Sequence, residues 1–126
     1  MDAADLHDHV ARLFNAGDLD GLVALYEPDA QMMRDDGTAF SGLHAIRTNW
    51  AEFIGLGGAL TLDTDYVIEA GDVALLSNTW TFRGNGMTFS SKTAEVARRG
   101  ADGTWRYVID NPFAAPAEAN DGASPD

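Results

Sequence analysis

The chain has 126 residues, of which 45% are hydrophobic and 22% are charged, and these values are ordinary for one globular domain. Eight Lys and Arg residues against 20 Asp and Glu residues give a formal charge of −12. A surface this acidic repels nucleic-acid phosphates and anionic lipid headgroups, so we expect neither nucleic acid nor membrane as a partner. The absence of cysteine excludes disulfides, thiolate metal sites and a cysteine nucleophile.

The first half of the chain predicts three helices and one short strand. Apolar residues recur every three or four positions within residues 2–16 and again within residues 42–54, as on one face of a helix. Between them, a short helix begins at Asp18 and is stopped by Pro28, and residues 30–34 form a strand. The buried helix faces include Leu6, Val10, Leu13 and Phe14, then Leu19, Leu22 and Tyr26, and then Ile46, Trp50 and Phe53.

The second half of the chain predicts strands, because the hydrophobic period changes from about 3.6 to 2 after the third helix. Glycine-containing turns separate the strands, and this pattern is typical of an antiparallel meander. Helices followed by a meander make an α+β fold with the helices packed on one face of the sheet. The four predicted strands cover residues 60–69, 73–83, 87–98 and 104–111.

Neither end of the chain contains a long apolar segment. Residues 1–10 carry acids where a secretory signal carries bases, and no segment approaches the ~20 apolar residues of a membrane span. Residues 114–126 contain no large apolar side chain and predict a disordered acidic tail after a domain of residues 1–113. We therefore expect a cytoplasmic protein.

The three histidines predict no metal site. His7 and His9 are two positions apart on a helix, so they point in different directions, and we interpret both as surface residues. His44 lies in the first turn of the third predicted helix, far along the sequence from the other two. Without clustered carboxylates beside them, we expect neither a metal nor a cofactor.

Three segments resemble a known superfamily. Residues 15–30, NAGDLDGLVALYEPDA, and residues 42–53, which open with G-x-x-A-I-R, are similar to segments of ketosteroid isomerases and SnoaL-like proteins. Residues 102–113, DGTWRYVIDNPF, resemble small members of the same nuclear-transport-factor-2-like superfamily. The resemblance implies three N-terminal helices packed in a curved antiparallel sheet. This is a cone-shaped, cystatin-like roll with an internal cavity, and its members form homodimers through the outer sheet face.

The resemblance also implies where catalytic residues would lie. The isomerases use a carboxylate base at the end of the first strand, a tyrosine on the first helix and a neutral carboxylic acid on a later strand. Those positions hold Arg34, Val10 and Glu95 here. Arginine stays protonated and valine has no donor, so we do not expect a standard steroid isomerase. A shift of one residue would bring Asp35 to the strand end but would leave Val10 unchanged.

Polar residues on otherwise apolar strand faces are the candidates for a site. We interpret Glu95 and Asp110 as candidate acid–base catalysts, with Arg34 or Asn78 holding a carbonyl oxygen. If Arg34 pairs with either acid, the pair is instead structural or a ligand clamp. The alternative for Asp110 is a strand-ending turn before Pro112. The residues predicted to contact a ligand are Arg34, Asn78, Trp80, Trp50, Tyr26, Phe89 and Met32.

Three functions fit this sequence, because the fold alone does not decide among them. The first is a cofactor-independent enzyme of the isomerase, cyclase or hydrolase type that acts on a small hydrophobic, polyketide- or steroid-like molecule. The second is a non-catalytic protein that binds such a molecule. The third, less favoured, is a dimeric interaction module whose pocket is incidental.

Overall fold

Three helices precede a long meander of strands in the computed structural model, which describes residues 2–116. This order confirms the predicted α+β class. No helix within these residues is long and apolar enough to cross a membrane. After a 3-10 turn at Ala3–Asp5, the helices are α1 (Leu6–Asn15), α2 (Leu19–Val23) and α3 (Leu43–Ile54), and the strands are β1 (Tyr26–Met33), β2 (Ala39–Ser41), β3 (Gly58–Ala70), β4 (Val73–Gly84), β5 (Met87–Arg99) and β6 (Trp105–Pro116).

The six strands form one curved sheet in the order β2-β1-β6-β5-β4-β3. Strands β3 to β6 are the predicted antiparallel meander. The sequence did not reveal that β1 pairs with β6 in parallel, with Met32 opposite Asp110. This pair brings the first and last strands together at the centre of the sheet, where the site is built.

The helices cover the concave face of the sheet and bury a core of aromatic side chains. The Phe14 ring on α1 lies 4.9 Å from Phe53 on α3, and Phe53 lies 4.9 Å from Phe82 on β4, between ring centroids. Full burial of a side chain such as Phe14 or Phe82 contributes roughly 1.5–3 kcal/mol. At one end of this core, β3 and β4 approach so closely that a Cβ on Gly84 would lie 2.3 Å from the Cα of Gly58.

The predicted second helix is too long, because its last residues form a strand. α2 ends at Val23, and Tyr26, Glu27 and Pro28 belong to β1. The amide of Tyr107 donates to the carbonyl of Leu25 at 2.8 Å, so pairing with β6 overrides the helical pattern. The register with β6 skips the residues between Tyr26 and Gln31, and Pro28 lies in this interruption, where no ladder donor is required.

The boundary predicted for the C-terminal tail is also wrong. Residues 114–116 continue β6 instead of forming a disordered segment, because β5 is long enough to pair with them. Pro116 lies opposite Ser91, and the Ser91 hydroxyl donates to the carbonyl of Ala115 at 3.1 Å. The rest of the predicted tail, residues 117–126, lies outside the described residues. The short strand β2 was not predicted either.

Candidate functional site

A cavity of about 360 Å³ lies between the helices and the concave face of the sheet. Exposed residues Glu52, Leu56 and Phe113 mark its opening. Most of the lining is apolar, and three acids and a few uncharged polar groups interrupt it, as in many small-molecule sites. The buried apolar and aromatic lining includes Val10, Met32, Trp50, Leu60 and Trp80.

The structure brings seven of the nine predicted site residues together around this cavity. The two candidate catalysts face each other directly, because Glu95 on β5 is the cross-strand partner of Asp110 on β6. The remaining five lie on β1, α3 and β4, and they are Tyr26, Met32, Trp50, Asn78 and Trp80.

Arg34 and Phe89 lie outside the cavity lining, which corrects their expected placement. Arg34 follows the end of β1, is exposed, and stacks its guanidinium 4.3 Å from the centroid of the Phe40 ring. The Phe89 side chain is 47% exposed, because it lies near the start of β5, beyond the end of the cavity. The expected ion pair between Arg34 and Glu95 or Asp110 does not form.

Asp110 is held by a short chain of hydrogen bonds that begins on α3. The indole nitrogen Nε1 of Trp50 donates to the Tyr26 hydroxyl at 3.2 Å, and this hydroxyl donates to Oδ2 of Asp110 at 2.6 Å. Burial, and next the charge of Glu95, raise the pKa of Asp110 from 3.8 to about 7, although the Tyr26 hydrogen bond acts to lower it. Asp110 therefore occupies both protonation states near neutral pH.

Glu95 has a different environment, because both of its carboxylate oxygens accept a hydrogen bond from a buried side chain. Nε2 of His7 lies 2.8 Å from Oε1, and Nδ2 of Asn78 donates to Oε2 at 3.1 Å. Since a carboxylate only accepts, Nε2 of His7 carries a hydrogen. The backbone N–H of Asn78 donates to Oγ1 of Thr93 at 2.9 Å, which fixes the Asn78 backbone beside β5.

The sequence-based prediction misses two residues of the site, Tyr107, which lines the cavity, and His7, which contacts Glu95. His7 is predicted to be a surface residue, but it is 1% exposed. Its other ring nitrogen, Nδ1, lies 2.8 Å from Oγ1 of Thr64 on β3. The available signal was the helical spacing, because His7, Val10 and Phe14 stand at i, i+3 and i+7 on the buried face of α1.

Two buried polar atoms, on residues that line the cavity, have no hydrogen-bond partner among residues 2–116. They are Oδ1 of Asn78 and the hydroxyl of Tyr107. Burial, followed by the charges of Glu95 and Asp110, raises the pKa of Tyr107 well above its ordinary value of 10.0, so its hydroxyl keeps its proton and can donate. In the same part of the chain, no group of three or more His, Asp or Glu side chains could hold a metal ion.

The sequence profile of the SnoaL-like domain matches residues 6–108 of the chain. The chain belongs to the SnoaL-like domain family. The match begins with α1, which carries His7, and ends inside β6, so it spans the helices and most of the sheet that surround the cavity. No curated protein sequence matches this SnoaL-like chain.

Solved structures of low sequence identity share the fold of this SnoaL-like protein. An NTF-2-like protein of unknown function from Shewanella oneidensis has a TM-score of 0.76 and 15% identity, over 86% of this chain and 93% of that one. A domain of unknown function with a cystatin-like fold from Nostoc punctiforme has a TM-score of 0.76 and 19% identity, over 91% and 80%. A ketosteroid isomerase-like protein from Erwinia carotovora atroseptica has a TM-score of 0.65 and 19% identity, over 81% and 86%.

Proposed function

We propose that this SnoaL-like protein binds a small, mostly apolar, polyketide- or steroid-like molecule and moves a proton on it with Asp110, without a cofactor. The observation that carries the proposal is the pair of facing carboxyl groups, Glu95 and Asp110, in a largely apolar cavity. Two acids whose environments differ in this way are a common basis for acid–base catalysis. The cavity volume of about 360 Å³ is near the lower end of the range for ligand pockets and favours a small ligand.

Asp110 is the proton-transfer group in this proposal. With a pKa of about 7, its ionised form is available as a base, and its protonated form is available as an acid at the same pH. The ionised carboxylate takes a proton from a carbon next to a ligand carbonyl, and the carbonyl oxygen gains the negative charge. Return of the same proton to another carbon of the conjugated system completes an isomerisation with no other reactant.

Tyr107 and Glu95 have supporting roles. The Tyr107 hydroxyl is a buried donor at the cavity, and it can donate to the carbonyl oxygen as that oxygen gains charge. Glu95 accepts from His7 and Asn78, so we assign it the role of a fixed negative charge that keeps the pKa of Asp110 high.

Deuterium exchange tests the proton transfer without knowledge of the product. Cyclic and polycyclic ketones are incubated with the protein in D₂O, and deuterium at the carbon next to the carbonyl is measured by mass spectrometry. We expect exchange that Asp110→Asn slows by roughly 10²–10⁴-fold, the usual contribution of a positioned base. Asp35→Asn is the matched control, because it removes an exposed acid in the turn after β1.

Ligand binding without turnover is the second candidate function. Val10 lines the cavity at the position of the isomerase tyrosine and offers no donor there, which favours this alternative. A thermal-shift screen against sterols, aromatic polyketides, terpenoids and hydroxy acids separates the two. Ligands that raise Tm, combined with exchange in none of the ketones, would establish a binding protein and remove the catalytic role of Asp110.

A homodimer through the outer sheet face is part of the proposal. Four apolar residues lie in register across β3, β4, β5 and β6 on that face: Ile68, Leu75, Val96 and Ile109. A second copy would cover this row. In sedimentation experiments we expect the wild type and Asp35→Asn to form dimers and Leu75→Lys to be a monomer, and a monomeric wild type would contradict this proposal.

A further inference from the structure

The charges around the cavity all have one sign. The charged residues in its described lining are Glu52, Glu95 and Asp110, and this lining includes no Lys or Arg. The formal charge of the whole chain is −12. A cleft with low-dielectric walls and acids of one sign concentrates a negative potential, which attracts cations and opposes anions.

The Asn78 side chain provides a second and independent observation. Its Nδ2 must face Oε2 of Glu95, because a carboxylate accepts and does not donate, and this fixes Oδ1 as the other amide atom. Asn78 lines the cavity and is 1% exposed, and its Oδ1 has no partner within residues 2–116. A buried acceptor without a donor is energetically unfavourable. A ligand that brings a donor removes this penalty.

Aromatic rings next to these groups can contact both the apolar skeleton and the positive charge of a cationic ligand. The ring centroids of Trp50 and Phe53 are 6.1 Å apart, and those of Phe53 and Trp80 are 6.0 Å apart. Such walls bury an apolar skeleton, and the faces of aromatic rings also attract positive charge.

We propose that the ligand is a hydrophobic amine in its protonated form. One of its N–H groups donates to Oδ1 of Asn78, and its positive charge lies beside the carboxylates of Glu95 and Asp110. A neutral alcohol could satisfy Asn78 but would leave the two acids without an opposite charge, and a carboxylate would be repelled. The inference rests on the proposed function, because it names the ligand class of the same cavity.

Binding of a cation has a consequence for Asp110. The titratable groups that face it are Tyr26 from β1, Glu95 from β5 and Tyr107 from β6. Of these, Glu95 raises the pKa of Asp110. Nε2 of His7 on α1 lies 2.8 Å from Oε1 of Glu95. An ammonium group opposes the effect of Glu95 and lowers the pKa of Asp110. The proton then leaves Asp110 for the solvent, and the ligand itself converts Asp110 to the base.

Matched ligand triples test the inference by isothermal titration calorimetry at pH 8. Each triple carries an aminomethyl, hydroxymethyl or carboxyl group on one ring system, such as naphthalene, biphenyl or a steroid skeleton. The amine stays protonated at this pH, as a lysine side chain does. We expect the amine to bind at least tenfold more tightly than the alcohol and the carboxylate to show no binding. An alcohol that binds as tightly as its amine would overturn the inference and leave the pocket function intact.

Proton release is the second measurement. At pH 6.5, the binding heat is compared in two buffers of different ionisation enthalpy, which gives the number of protons released. We expect release with the wild type and with Asp35→Asn, and no release with Asp110→Asn. Tight amine binding without release would contradict the placement of the charge beside Asp110. If no member of any triple binds, whatever its ring system, the result would count against the pocket function as well.

Discussion

Glu95 and Asp110 are directly opposite each other on neighbouring strands, yet their hydrogen-bond environments differ. Glu95 accepts from two buried side chains, His7 and Asn78, so both of its oxygens are occupied. Asp110 accepts from one, Tyr26, and shares the field of Glu95. Burial, and next the charge of Glu95, raise the pKa of Asp110 to about 7, so Asp110 is the acid of the two to which we assign the proton transfer.

The largest expected effect is on the free energy of unfolding, and it comes from the ionisation of Asp110. Between pH 3.8 and about 7, the folded protein holds a proton on Asp110 that the unfolded chain has lost, so stability falls as the pH rises through this window. A shift of this size is worth on the order of 4 kcal/mol. We expect urea unfolding to show Asp110→Asn more stable than the wild type at pH 8 by a few kcal/mol, and about equal at pH 4.

Asp35→Asn serves as the matched control for that comparison, because Asp35 is exposed and lies outside the cavity lining. It should follow the wild type at both pH values. If Asp110→Asn were no more stable than the wild type at pH 8, the ionised carboxyl group of Asp110 would not destabilise the folded protein.

The next effect tests the donors of Glu95. His7→Leu leaves Oε1 of Glu95 without its 2.8 Å partner in a buried place, and hydrogen bonds to charged groups contribute about 1.5–3 kcal/mol. We expect a loss of this order in the free energy of unfolding, measured in urea at pH 7. His7→Gln keeps an N–H donor and should recover part of it. Equal stability of His7→Leu and the wild type would show that Glu95 does not depend on this donor.

The smallest effects are two opposite shifts in the pKa of Asp110. Tyr26→Phe removes the hydrogen bond that lowers this pKa, so the pKa should rise. Glu95→Gln removes the charge that raises it, so the pKa should fall. Carboxyl titration by NMR in each variant measures both. Shifts in the same direction would contradict the separate roles that we assign to the two acids.

Local patterns in the sequence predict most of the fold. The periodicity of α3 and of strands β3 to β5 is strong enough to define both ends of each to within two residues, and the alternation along β4 correctly places Asn78 and Trp80 on the inner face. The sequence does not predict the secondary structure correctly where pairing with a distant strand determines it. Residues 26–28 continue a helical pattern, but β6 pairs with the backbone beside them and makes them a strand.

The same distinction between local patterns and distant pairing applies to the site. Alternation within one strand is enough to select Glu95 and Asp110, but it does not reveal that they face each other, because a bulge in the β5–β6 register sets the alignment. The hydrogen bond from Tyr26 to Asp110 joins residues 84 positions apart and depends on the parallel pair of β1 and β6. Arg34 was misplaced for a related reason, because β1 ends at Met33 and Arg34 turns outward onto Phe40.

The parallel pairing of β1 with β6 also governs when the site can exist during folding. Helices and hairpins close over short distances and form early, whereas contacts between the two ends of a domain carry the largest loop-closure entropy and form slowly. A ribosome must release nearly the whole domain before Trp105–Pro116 can dock between β1 and β5. A nascent chain that ends before β6 would have the helices and strands β1 to β5 but no Asp110, so the protein acquires its proton-transfer group only when β6 closes the sheet.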